Sequence, residues 1–178
     1  MLEDDARAKV LNVLPFFHSF GLMAGLILPI LKGTKVFQYP NPLHYEEIVR
    51  ICREERISIL WGTPTFLKSY AEYAKKEDFE WLDYVVSGAE RLPEEIRDIW
   101  IKKFGITILE GYGATEASPV ISVNSKFSNK SGTVGRILPM IDFNFRPVEG
   151  IIDGKELLVK GPNTVSYTHL RAHETTNY

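Results

Sequence analysis

One cysteine, Cys52, is all the sequence contains, so no internal disulfide can form. Its position within a helical pattern fits a small buried filler in a reducing compartment. A basic excess is also missing: 21 Lys+Arg against 23 Asp+Glu give a formal net charge of −2. Nothing in that balance attracts a phosphate backbone, which sets nucleic acid aside as a partner. Long apolar runs are lacking too. The longest, "GLMAGLILPIL" from Gly21 to Leu31, falls short of the roughly 20 residues a membrane helix needs. It reads as a buried helix with Pro29 near its end and "LKGT" as the exit, and lipid contact is the minor reading. The opening "MLEDDARAKV" is acidic and charged where a secretory signal would carry an apolar core, so the expected setting is cytoplasmic. What the chain does have is 44% hydrophobic and 25% charged residues over 178 positions, enough for one domain or a large part of one.

Strand-like and helix-like segments alternate. "TKVFQYP" is a short β-branched and aromatic run ending at a proline, and "HYEEIVRICREER" then sets Tyr45, Ile48, Val49 and Cys52 on one helical stripe. "ISILWG" reads as a buried strand. Thr63 and Pro64 follow as N-cap and first-turn residues of a helix whose apolar face is Leu67, Tyr70, Ala71 and Ala74. "DYVVSG" is the next strand. "PEEIRDIWIKKFG" is a helix with Pro93 at its start, Glu94 and Glu95 in its first turn, Lys102 and Lys103 in its last, and Gly105 as its stop. "ITILEG" completes the series.

Strands joined by amphipathic helices of this length pair in parallel, which makes the fold class α/β: a partly parallel sheet flanked by helices. The loops leaving "ISILWG", "DYVVSG" and "ITILEG" therefore meet at the carboxyl edge, where open α/β sheets bind ligands. They read "GTPT", "SGAERLP" and "GYGATEASP". Each holds a glycine, which lets backbone approach a ligand, and a hydroxyl that can donate to phosphate or carboxylate oxygens. Two add a glutamate, able to hold magnesium beside a nucleotide.

After Pro119 the sequence turns polar through "VISVNSKFSNKSGTVGRILP". "DFNFRPVEGIIDGKELLVKGP" then alternates like antiparallel strands around an Asp153–Gly154 turn. The expected division is an α/β part over 1–119 and a β-rich part over 120–163. Residues 164–178 have no strong period. They contain His169 and His173, a pair that could ligate metal on a helix but has no further ligands at suitable spacing.

Four of these motifs together resemble the adenylate-forming (AMP-binding) superfamily of acyl-CoA synthetases, luciferases and peptide-synthetase adenylation domains. "EGYGATEASP" is similar to its Tyr-Gly-x-Thr-Glu signature, "LPFFHSFGL" to its Phe-His-x-x-Gly motif, "SGAERLP" to its adenine loop and "GTVGRILP" to its Gly-x-Val-Gly-x-x-x-Pro motif. They occur in family order, over roughly residues 10 to 163. Within the superfamily, "YPNPLHY", "GTPTFL" and "EGYGATEASPVISVN" look most like the bacterial acyl-acyl carrier protein synthetases, including the synthetase part of bifunctional 2-acylglycerophosphoethanolamine acyltransferases.

The resemblance implies a central part of the large N-terminal domain of such an enzyme, and roles for particular residues. Tyr112 would stack on adenine, the alternative being a core tyrosine. Gly88, Ala89 and Glu90 would border the same ring, although Glu90 could instead begin the next helix. Gly111 and Gly113 would allow close backbone approach. Thr115 would donate to the α-phosphate of ATP. Glu116 would hold Mg²⁺, the alternative being a solvated loop acid. His18 would lie near the acyl site, or be an ordinary core histidine. Arg136 reads as structural.

The implied reaction is ATP-dependent activation of a fatty acid as acyl-AMP, with transfer to a phosphopantetheine thiol on acyl carrier protein or coenzyme A. Two alternatives stay open: the acyl-supplying module of a lysophospholipid acyltransferase, with inner-membrane association of the full-length parent, and a non-catalytic nucleotide-binding remnant. The family's lysine-bearing phosphate loop, ribose-binding aspartate and C-terminal lysine have no counterpart in the sequence. "TVSYTHLRAHETTNY" departs abruptly from the family after "GPN" and looks like translated read-through. These features lead to the expectation of a fragment, inactive alone, of a chain longer at both ends.

Overall fold

The computed structural model describes residues 8–152 and 154–165. The Asp153 half of the expected turn and the His169/His173 pair lie outside them. The core is a seven-stranded sheet in the order β2-β1-β3-β4-β5-β6-β7. Strands β1 (Lys9–Asn12), β2 (Lys35–Gln38), β3 (Ile59–Gly62), β4 (Tyr84–Ser87) and β5 (Ile108–Gly113) run parallel, while β6 (Val120–Val123) and β7 (Arg136–Ile137) add antiparallel. This is a mixed α/β fold with a mostly parallel sheet flanked by helices. A separate antiparallel pair follows, β8 (Asp142–Pro147) with β9 (Lys155–Lys160).

Strand order explains how the helices are distributed. The chain moves from β1 outward to β2, then reverses to β3, β4 and β5. Right-handed crossovers in opposite directions place their helices on opposite faces. The β1–β2 crossover contains α1 (Ser19–Leu22), a π-helical turn (Met23–Ile27) and α2 (Leu28–Lys32). The other three crossovers hold α3 (Tyr45–Glu54), α4 (Pro64–Tyr73) and α5 (Glu94–Phe104). Alternation along the strands divides the core accordingly. Leu11, Leu60, Val85 and Ile108 pack toward α3, α4 and α5, whereas Val10, Ile59, Trp61, Val86 and Leu109 pack toward residues 19–32.

Local signals account for the helix ends. Thr63 caps α4 by accepting from the Phe66 N–H, Pro64 opens its first turn, and Leu67, Tyr70, Ala71 and Ala74 are buried. Helix α5 ends at Gly105 in the left-handed conformation, and Pro93 is its cap rather than its first helical residue. Cys52 is buried on α3; that burial, with the Asp78 charge second, pushes its thiol well above the ordinary range.

Three features depart from the sequence expectations. Strand β1 went unforeseen because "KVLN" has only two apolar residues. The 21–31 segment is helical, but buried on one side only: Ile30 and Leu31 are 65% and 77% exposed. Finally, β6 and β7 belong to the main sheet, so the polar region after Pro119 first extends it and only then forms the β8–β9 pair.

The π-helical turn is fixed by close contact. A Cβ on Gly25 would overlap the side chain of Asn12. Asn12 cannot yield easily, since it is 2% exposed, donates to Leu14 O (3.1 Å) and Gln38 Oε1 (2.9 Å), and accepts from Leu14 N (3.2 Å). Gln38 closes the set by donating to Gly25 O at 2.6 Å. Gly25→Ala should therefore cost about 1–3 kcal/mol through overpacking. The effect would be read as a lower urea midpoint at unchanged slope, and an unchanged midpoint would contradict this packing.

Candidate functional site

Strand β5 starts in the core and ends as a wall. Ile108 and Leu109 are buried, while Tyr112 is 45% exposed, which removes the core-tyrosine alternative. The expected loop from Gly111 begins later than its glycines imply: Gly111, Tyr112 and Gly113 are strand, paired with Val123, Ser122 and Val120 of β6. The hairpin is tight enough that a Cβ on Gly113 would run into the Pro119 carbonyl. Ala114 N donates to that carbonyl at 2.8 Å, and Thr115–Ala117 form one 3₁₀ turn ahead of a cis Ser118–Pro119 bond. The turn is held from a distance as well, because Asn163 Nδ2 donates to Ala117 O (2.5 Å) and Val165 N to Glu116 O (2.7 Å).

Two cavities share this strand end. One of about 380 Å³ lies on the 19–32 side and is mainly apolar, with His18, Phe20, Trp61, Leu28, Val86 and Thr115 among its walls. Another, of about 810 Å³, is lined by residues including Glu90, Arg91, Arg97, Glu110, Ser131 and Val134. Ala89, Gly111, Tyr112 and Gly113 border both.

Most of the expected residues converge here. His18, Gly88, Ala89, Gly111, Tyr112, Gly113 and Thr115 line the smaller cavity; Ala89, Glu90, Gly111, Tyr112 and Gly113 line the larger. Glu116 lines neither. It stands exposed on the turn, and among the described residues no protein cation pairs with its carboxylate. His18 caps α1, its Nδ1 accepting from Phe20 N at 3.2 Å. Ser19 Oγ lies 3.4 Å from Thr115 Oγ1, linking the start of α1 to the turn. Ala89 adopts φ 70, unusual for a residue with a Cβ. Glu90 precedes α5, in a loop, and accepts from Thr65 Oγ1 at 3.2 Å. Arg136 is exposed on β7 with no carboxylate partner among the described residues.

Sequence reasoning missed two buried polar features. Arg97 of α5 donates to Glu110 of β5 at 2.5 Å, with side chains 10% and 11% exposed. The available signal was a glutamate ending a buried strand opposite an arginine beside the apolar stripe of Ile96, Trp100 and Phe104. Trp61 is 5% exposed, and its indole N–H has no partner among the described residues.

A family model described as "AMP-binding enzyme" matches residues 2–166. The chain belongs to that family. Its relatives include a probable 4-coumarate–CoA ligase 3 of Dictyostelium discoideum, 31% identical over 88% of this chain and 30% of that protein. A long-chain-fatty-acid–CoA ligase of Bacillus subtilis is 29% identical over 96% of this chain and 32% of that protein. Among solved structures, a benzoate CoA ligase from Burkholderia xenovorans superposes with a TM-score of 0.81 at 26% identity, covering 97% of this chain and 37% of that one. The chain thus spans about a third of the length of the relatives it matches.

Removing one member of the buried pair strands the other. Glu110→Ala should cost about 3–5 kcal/mol of stability, whereas Arg97→Met combined with Glu110→Leu should recover most of that loss. Chemical denaturation of the two variants checks this, and a single variant as stable as the parent would show the pair to be dispensable.

Proposed function

We propose that this chain supplies the nucleotide and acyl cavities of an ATP-dependent acid–thiol ligase, which forms acyl-AMP and passes the acyl group to a phosphopantetheine thiol. One observation carries the reading: the Gly111–Gly113 strand end separates a mainly apolar cavity from a larger one of more mixed, more polar lining. Thr115 borders the apolar side, close to where the two meet. Adenosine would occupy the larger, more polar cavity, with Tyr112 against the base and Gly88, Ala89 and Glu90 along its edge. The acyl chain would occupy the apolar cavity past His18, and Thr115 would donate to the α-phosphate between them.

The residues present fit a magnesium ion brought by the nucleotide. Among the described residues no cluster of three His, Cys, Asp or Glu could cage a metal, but Mg²⁺ commonly uses one or two carboxylates with substrate phosphates and water. Glu116 offers such a carboxylate. The ion would offset charge as the acid's carboxylate oxygen attacks the α-phosphorus and pyrophosphate leaves.

A fatty acid as substrate draws support from the apolar lining and from the ligase relatives. Acyl carrier protein as acceptor rests on the resemblance of "YPNPLHY", "GTPTFL" and "EGYGATEASPVISVN" alone, and coenzyme A is the other acceptor. Within the described residues no helix is long and apolar enough to cross a membrane.

Stacking of a base on an aromatic ring is worth about 1–3 kcal/mol. Tyr112→Ala should therefore weaken ATP binding by roughly tenfold, with Tyr112→Phe close to the parent, as titration calorimetry would measure. Equal affinities for all three would remove Tyr112 from the nucleotide site. The 178 residues alone should give no fatty-acid-dependent pyrophosphate exchange, since the sequence contains neither of the family's lysine motifs; exchange by the purified chain would refute this. In a protein of the relatives' length, the same assay followed by transfer to carrier protein or coenzyme A identifies the acceptor.

A further inference from the structure

The larger cavity has a wall that includes the start of the "GTVGRILP" motif. Ser131, Gly132 and Val134 form it, on the segment connecting β6 to β7. Such a segment of polar residues and glycines has little reason to stay in place by itself. It is held by Asn124, which is only 1% exposed. Asn124 Nδ2 donates to Thr133 O at 2.5 Å, and its Oδ1 accepts from Lys130 N at 3.1 Å, so one side chain grips the segment at two points. Its own backbone N–H donates to Glu110 O at 2.9 Å. Glu110 in turn receives Arg97. A continuous polar chain therefore runs from α5 through β5 to the 130–134 wall, and Arg97, Glu110 and the wall all face one cavity.

We propose that Asn124 is a positioning residue for the nucleotide: it sets the distance between the 130–134 wall and the Tyr112 side of the cavity. This rests on the reading that the larger cavity takes adenosine. Asn124 would not touch the ligand; it would act through the wall. The wall lines the larger cavity with Tyr112 and Glu90, which Thr115 does not line, so its contribution belongs to the nucleoside end and not to the phosphates.

The test compares the parent chain with Asn124→Ala, Asn124→Asp and Val134→Ala by titration calorimetry with ATP, ADP and AMP, beside binding of a fluorescent fatty acid. Asn124→Asp keeps the side-chain volume and the bond from Lys130 N, but turns an oxygen toward Thr133 O. Val134→Ala trims the 41% exposed wall residue and leaves the hydrogen bonds intact, so it reports even where a buried change unfolds the chain. Losing a hydrogen bond that holds the wall should weaken all three nucleotides alike, by about tenfold for the Asn124 variants and less for Val134→Ala, with fatty-acid binding unchanged. Parental nucleotide affinity in the variants overturns the proposal, as does a loss confined to ATP or an equal loss for the fatty acid. A parent chain that binds no nucleotide overturns the adenosine reading itself, and this inference with it.

Discussion

Neighbouring parallel strands cannot be joined by a tight turn, so the chain from β3 to β4, and from β4 to β5, must cross the sheet through a helix and re-enter at the same end. The residues following each strand are thereby brought into one row, although some 25 positions separate them in sequence. Thr63, Gly88 and Ala114 each follow one of these strands. The reversal of strand order at β1 adds a second consequence. It puts residues 19–32 on one face and α5 on the other, so a strand that ends beyond the core has space on both sides. Both cavities depend on that arrangement.

Strand β5 departs from the parallel pattern at the point where the two cavities meet it. It pairs with β4 up to Glu110 and with antiparallel β6 beyond it. The register shift between Tyr112 and Gly113 falls in this second part. Bulges of this kind increase local twist and re-aim side chains next to sites. Glu110 marks the changeover, with its side chain bound by Arg97 and its carbonyl by Asn124. A buried ion pair seldom adds much net stability over apolar packing. In this position it has geometry to fix, because everything from Gly111 onward extends from it.

Much of this was legible in the sequence, and for identifiable reasons. Helices α3, α4 and α5 carry a 3.6-residue apolar stripe with caps at their ends, and β3, β4 and β5 are short apolar runs between them. The convergence of Tyr112, Thr115, Gly88 and His18 followed from parallel pairing together with the motifs. Strand character at Gly111–Gly113 was hidden because glycine is a poor strand former, and the pairing that overrides it comes from β6, whose partnership no local pattern reveals. Asn124 was hidden for a related reason. It opens "NSKFSNKSG", which looks like any polar turn, and its value lies in backbone groups at Lys130, Thr133 and Glu110 that only folding brings together. Exposure of Ile30 and Leu31 was equally unreadable, since an apolar run does not say which of its faces is covered.

The sharing of Ala89, Gly111, Tyr112 and Gly113 by two cavities bears on retention. Separate ligands, one in each cavity, would come and go independently. On the proposed reading a molecule joining both ends covalently would straddle the strand end, and once one end is seated the other binds as an intramolecular event at an effective concentration set by the short link. A mixed anhydride of acid and nucleotide would then dissociate far more slowly than either half. The strand end would act as a latch that keeps a reactive, hydrolysable intermediate in place until an acceptor cuts the link.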